Sequence, residues 1–255
     1  NGWRALAYAW NPLVILEIAH SGHIDALGAF WIAASAYWLA QRRTALASIG
    51  FVLAVAAKLL PIVLAPLFWR RVRLRDAVLG GIVFVALYLP YTSGPDLPVG
   101  AVPSVIAAIR FNGPAFKAIR LATDPVFAAV VAVLVGLVVA TWARFRLSRT
   151  DPAAWAWPMA ASLAFAPVVY PWYLLYFTPF LLTSATFPLV TWTFTVLTAY
   201  LVWYIDSWRQ AWVVPPALLA FEYGLLVATT ILVLRRAALP AVRPAARQAN
   251  GRASA

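Results

Sequence analysis

Two histidines and an aspartate fall within six positions, His20-Ser21-Gly22-His23-Ile24-Asp25, shortly after Asn11-Pro12 and Glu17. One lysine then interrupts the next apolar run, at Ala57-Lys58-Leu59-Leu60-Pro61. A carboxylate or an imidazole can take the proton of an attacking hydroxyl. An ammonium can hold a phosphate and stabilise the negative charge that develops on it as it leaves. The surroundings make these groups informative, because an ionisable side chain in hydrocarbon costs about 2.5 to 3.5 kcal/mol on insertion scales and marks a substrate or ion path.

Those surroundings are membrane-grade. Of 255 residues, 64% are hydrophobic and 11% charged, and the mean hydropathy is +0.82. This excludes an ordinary soluble domain and predicts an all-α, multi-pass transmembrane bundle in the cell membrane, with the lipid bilayer as a partner. Thirteen Trp, ten Tyr and nineteen Pro suit interfacial aromatic belts and membrane helices that tolerate proline. The net charge of +12 sits mostly in short loops, where it orients the chain, so nucleic acid is not an expected partner. With no cysteine there is no disulfide or thiolate chemistry. Two histidines predict no metal site. The chain opens Asn1-Gly2-Trp3-Arg4, without an initiator Met or signal-peptide pattern, and reads as the C-terminal part of a longer protein.

Four arginine groups position the elements: Arg42 and Arg43, Arg70 to Arg75, Arg144 to Arg149, and Arg235 and Arg236 with the tail. Placing all four in the cytoplasm makes the chain between them cross in pairs. Ala77–Tyr91 goes out and Pro125–Ala143 returns around an outer loop, Thr92–Asp124. Trp155–Val169, Trp172–Leu182, Pro188–Ile205 and Trp212–Leu234 supply four further crossings. Ala45 to Trp69 would be about 37 Å long as one straight helix, which puts two arginine groups on opposite sides. A break near Lys58 to Pro61 instead gives a re-entrant hairpin with Lys58 at its tip; a steeply tilted single span is the alternative. Asn11 to Ile18 predicts a short interfacial helix, and Ala26–Ala40 runs from the outer face inward. The domain spans residues 1–236, and residues 237–255 form a disordered, basic cytoplasmic tail. No internal repeat is visible.

The outer face thus collects Glu17, Asp25, His20, His23, Lys58, Arg110, Lys117, Arg120 and the aromatic turn Tyr170-Pro171-Trp172-Tyr173. That mixture suits an anionic, lipid-borne substrate. Asp25 either caps the helix that follows it or acts as a base, and the two roles are compatible. His20 and His23 are either interfacial residues satisfied by water or members of the site. Lys58 lies too deep to snorkel to the cytoplasm. Arg110-Phe111-Asn112-Gly113 is either a solvated loop or a binder of phosphate and sugar hydroxyls. Tyr170, Trp172 and Tyr173 are either an aromatic belt or substrate contacts. Glu222 is expected to pair with a neighbouring helix or a tyrosine, without a catalytic role.

In this order, Asn11-Pro12-Leu13, Gly22-His23-Ile24-Asp25-Ala26-Leu27, Lys58-Leu59-Leu60-Pro61 with Pro66, Arg110-Phe111-Asn112-Gly113 and Pro167-Val168-Val169-Tyr170-Pro171-Trp172-Tyr173-Leu174-Leu175 resemble motifs of a known family. They are similar to those of the GT-C superfamily of membrane glycosyltransferases, in particular bacterial polyprenol-phosphate-mannose-dependent mannosyltransferases. The resemblance spans most of Asn11 to Leu182. It implies a GT-C bundle and an inverting transfer of a sugar, mannose in the nearest pattern, from a polyprenyl-phosphate donor to an envelope glycan or glycolipid acceptor at the outer face. It implies no cofactor beyond the lipid-linked sugar. Relatives commonly carry the main catalytic aspartate in a first outer loop that would precede Asn1, and a His where this chain has Tyr170.

The expected assignments follow. Asp25 and His23 are catalytic candidates. Lys58, Arg110, Asn112, His20, Glu17, Tyr170, Trp172 and Tyr173 are candidates for substrate binding. The competing expectation is a transporter or flippase for a lipid-linked anion, which would favour inverted repeats and a path open to both faces.

Overall fold

The structure, a computed structural model, describes residues 2–92, 108–205 and 213–238. Helix α1, Gly2–Ala9, ends before Asn11. Asn11 is extended, its side-chain oxygen accepts from the Leu13 amide at 3.0 Å, and Pro12 follows at the first helical position. These are two strong start signals, and they open α2, Pro12–His20. Its second half, Ile15–His20, is wound as a π-helix. Gly22, at φ 65°, turns the corner, a conformation that carries little cost without a Cβ. Beyond it α3, Asp25–Ala40, departs at 120°. The short helix expected over Asn11 to Ile18 is therefore present, as Pro12–His20.

Helix α4, Thr44–Ala57, stops at Lys58, which is extended at φ −166°, ψ 143°. Pro61 then sits in the first turn of a 3-10 segment, Leu60–Phe68, where its missing N–H leaves no helical hydrogen bond unmade. At 1.5 and 2.0 Å per residue the two limbs measure about 21 and 18 Å, each short of the roughly 30 Å of a hydrocarbon core. They return to one end of the molecule. The Thr44 hydroxyl donates to Asp76, in the first turn of α5, Leu74–Tyr88. Arg71 donates to the Arg144 and Leu147 carbonyls at 3.3 and 3.2 Å, and Arg144 donates to the Trp69 carbonyl at 2.8 Å. Three arginine groups thus gather at one end, as the broken-helix expectation requires and a straight rod would forbid.

After α6, Pro114–Ile119, Asp124 caps α7, Pro125–Arg146, accepting from the Val126 and Phe127 amides. Asp151 likewise caps α8, Pro152–Ala164. The buried residues of α7 are Ala128, Ala132, Gly136, Ala140 and Ala143, a stripe at helical spacing that lets neighbours approach closely. At Gly136 a Cβ would lie 2.8 Å from the Ser162 side chain of α8 and 2.9 Å from Val63.

The expected crossings Trp155–Val169 and Trp172–Leu182 are corrected. The first is a 13-residue helix and the second a ten-residue 3-10 segment, Pro171–Phe180. At about 20 Å each, neither limb spans hydrocarbon, so the two form a second hairpin. The helical run Ser184–Tyr204, with its central α-helix α9 at Phe187–Thr195, and α10, Pro216–Ala238, complete the chain. Among the described residues four helices are long and apolar enough to cross a membrane, five if the bent pair α2–α3 counts as one span. Among the described residues there is no strand, only the single bridge Phe111–Val168. Residues 239–255 of the expected tail, most of the expected outer loop's first half, and Trp212 lie outside the described residues, while residues 237 and 238 continue α10.

The two hairpins share an inner anchor. Trp155 is fully buried and donates to the Arg149 carbonyl at 3.0 Å. Phe68, ending the first 3-10 segment, meets it edge-on at 5.9 Å, and Phe180, ending the second, stacks on it at 5.8 Å.

Candidate functional site

At the opposite end the hairpin tips meet. Because the chain is extended at Lys58, its side chain leaves the α4 axis, and the ammonium reaches Asp25 at 2.5 Å. The same ammonium lies 3.3 Å from the ring centroid of Tyr173, in the first turn of the second 3-10 segment. Asp25 is buried at the first position of α3 and makes no capping hydrogen bond. The capping reading of Asp25 therefore gives way to an ion pair. Lys58 keeps 26% of its side chain exposed, so its charge is paired yet reachable.

Lys58 and Tyr173 head a cavity of about 820 Å³. Its walls are apolar and come from the end of α4 (Val55), from α5 (Phe84, Val85, Tyr88), and from Leu163 and Val168 near the second tip. Close by, the Tyr176 hydroxyl is buried with no hydrogen-bond partner among the described residues. Gly28 of α3 lies against that ring so tightly that any Cβ would collide with it.

A second carboxylate is held differently. Glu17 is fully buried on the π-helical turn, where it accepts from the Tyr200 hydroxyl and faces His23 Nε2 at 3.4 Å. π-Helical turns re-aim side chains and recur at functional sites. His23 stacks on Trp172 at 4.4 Å, and Trp172 stacks on Tyr170 at 4.4 Å. Trp172 thus already stacks on two rings of the protein. Tyr170 continues the ladder to Phe111 at 4.8 Å. His20 is exposed at the end of α2.

Asn112 is also engaged. Its backbone sits in the left-handed region, at φ 54°. Its buried amide donates to both Glu222 oxygens at 3.1 Å, and its carbonyl accepts from the Tyr223 hydroxyl at 2.6 Å. Glu222 further accepts from Trp192 Nε1 at 2.7 Å. The expected pairing of Glu222 with a neighbouring helix is present, and the Asn112 amide nitrogen donates to the same carboxylate while its side-chain oxygen is buried with no hydrogen-bond partner among the described residues. Gly113 beside it is required sterically, since a Cβ there would approach the Ala166 carbonyl to 2.5 Å.

Arg110 faces elsewhere. With Lys117 and Arg120 it lines a separate cleft of about 440 Å³, divided from the Lys58 cavity by the strand-like pairing of Phe111 with Pro167 to Val169. Burial, and secondarily the charge of Arg120, lowers the Arg110 pKa from its ordinary value. Among the described residues no three His, Cys, Asp or Glu side chains converge as a metal site.

The structure therefore brings Lys58 into direct contact with both Asp25 and Tyr173 and sets Glu17, His23, Trp172 and Tyr170 in a bordering network, with Arg110 apart. Sequence reasoning missed Tyr200, Trp192, Tyr223 and Tyr176. A tyrosine or tryptophan in an apolar span carries no spacing signal of its own; only the in-span carboxylates that need donors, Glu17 and Glu222, point to them.

Comparison with protein families, with curated proteins and with solved structures finds no match for this chain. The residues themselves carry the functional argument.

Proposed function

We propose that this chain is part of a membrane glycosyltransferase of GT-C type. It moves a sugar, mannose by the resemblance, from polyprenyl phosphate to a glycan or glycolipid acceptor with inversion. The observation that carries the reading is a reachable ammonium, already paired with a carboxylate, at the head of an apolar cavity. A prenyl chain matches the walls, and its phosphate matches the head.

The ion pair also suggests how binding prepares the reaction. A phosphate arriving at Lys58 competes with Asp25 for the ammonium, because both are anions seeking charge-assisted hydrogen bonds in a water-poor place. Transfer of the ammonium to the phosphate releases the Asp25 carboxylate. The acceptor oxygen then bonds to the sugar's anomeric carbon, the bond from that carbon to the phosphate oxygen breaks, and the acceptor proton passes to a carboxylate. Polyprenyl phosphate leaves with the bonding electrons, stabilised by Lys58. Glu17 and Trp172 hold His23, so it shapes the border of the site.

Lys58→Ala tests this in the full-length protein. Transfer from polyprenyl-phosphate mannose is expected to fall by about 10² to 10³, as for loss of one electrostatic donor, with Lys58→Arg retaining part of it. Undiminished turnover in a folded Ala variant overturns the proposal.

A further inference from the structure

The cluster around Glu17 has the parts of a proton acceptor. The π-helical turn Ile15–His20 carries Glu17 inward, where its side chain is fully buried. One carboxylate oxygen accepts from the Tyr200 hydroxyl, and the other, Oε2, faces His23 Nε2 at 3.4 Å. A carboxylate opposite Nε2 favours the tautomer with the proton on that nitrogen, which puts the basic lone pair on Nδ1. Trp172 stacks on the imidazole at 4.4 Å and holds its plane. His23 keeps 30% of its side chain exposed while Glu17 exposes none, so the imidazole is the half of the pair that an incoming group reaches. The pair also borders the Lys58 cavity: the Trp172 ring lies 6.1 Å from that of Tyr173, whose face carries the Lys58 ammonium, and His23 precedes Asp25 by two positions in the chain.

We infer that Glu17 and His23 form a dyad that takes the proton of the acceptor hydroxyl, with His23 as the base and Glu17, held by Tyr200, as the residue that positions it. The inference rests on the glycosyltransferase reading and names the route by which a carboxylate receives that proton. As the acceptor oxygen bonds to the anomeric carbon, its O–H proton moves to the Nδ1 lone pair. The bond from the anomeric carbon to the phosphate oxygen breaks, and its electrons leave with the polyprenyl phosphate. The Nε2 proton is then shared with Glu17 Oε2, which offsets the charge that forms on the imidazole. Asp25 keeps its separate part as the counter-ion of Lys58.

The test uses the full-length protein and two readouts. The first needs no turnover: nitrogen magnetic resonance on isotope-labelled histidine, with the His23 signal identified by its loss in His23→Gln. Wild type is expected to show the Nε2–H tautomer, and Glu17→Gln a mixture of tautomers. The second is transfer from polyprenyl-phosphate mannose to octyl mannoside. Glu17→Gln is expected to lower kcat by about 10² with the donor KM unchanged, and Tyr200→Phe to lower it less. His23→Ala is expected to lose turnover that added imidazole restores in part, which a merely structural role would not allow. With wild type active, an Nδ1–H tautomer, an undiminished kcat in Glu17→Gln, or no rescue by imidazole overturns the dyad and leaves the transferase reading in place. A folded wild type that transfers nothing from this donor sinks that reading, and the dyad with it.

Discussion

The two hairpins are built alike and equipped differently. Each has a short α-helix, a break, and a 3-10 return limb with proline near both ends: Pro61 and Pro66 in one, Pro171 and Pro179 in the other. Both return limbs end in a phenylalanine on Trp155. The first tip presents a cation, Lys58, to a cavity, whereas the second presents aromatic rings, Tyr170, Trp172 and Tyr173. They meet where the ammonium lies over the Tyr173 ring. A shared inner anchor with divergent outer tips lets one element supply charge while its counterpart supplies the apolar, oriented wall against which that charge acts.

The strongest way to break this comparison is Trp155→Ala. It removes the common anchor and is expected to destabilise the fold by about 3 to 5 kcal/mol, read as loss of protection in both return limbs by hydrogen exchange. Protection lost in only one limb would show that the hairpins are anchored separately. Next comes a double-mutant cycle. Lys58→Ala leaves the buried Asp25 unpaired and is expected to cost on the order of 3 kcal/mol, whereas Lys58→Ala with Asp25→Ala is expected to recover most of it. Equal instability of the single and double variants in chemical denaturation would mean that the pair contributes nothing. The smallest effect sharpens the contact between the tips: Tyr173→Leu is expected to cost about 0.5 to 2 kcal/mol, and Tyr173→Phe, which keeps the ring face, much less.

The first hairpin was legible because its break carries a charge. Lys58 followed by Pro61, between arginine groups that belong on one side, favours a break over a tilted straight helix. The second was not legible, because Trp155–Val169 and Trp172–Leu182 contain no charge and composition does not separate 3-10 from α winding. The same limit governs the site. Asp25 and Lys58 stand out as ions in apolar sequence, and their pairing follows from a bundle that folds one back toward the other. Asn112 and Trp172 present donors and rings, and only three-dimensional neighbours reveal that Glu222, His23 and Tyr170 already occupy them. Arg110 and Lys58 are both expected at one face, yet the Phe111–Val168 pairing divides them, a separation that no spacing in the chain encodes.

The carboxylate of Glu222 has a consequence for biosynthesis. It reaches back 110 positions to hold Asn112, and it belongs to the last helix described. A ribosome delivers the loop bearing Arg110 long before it delivers that helix, so the loop waits in an unfinished state until the closing segment inserts. The loop is therefore set only once the helix carrying Glu222 has been made, and a nascent chain halted before residue 222 would display its loop without the latch that sets it.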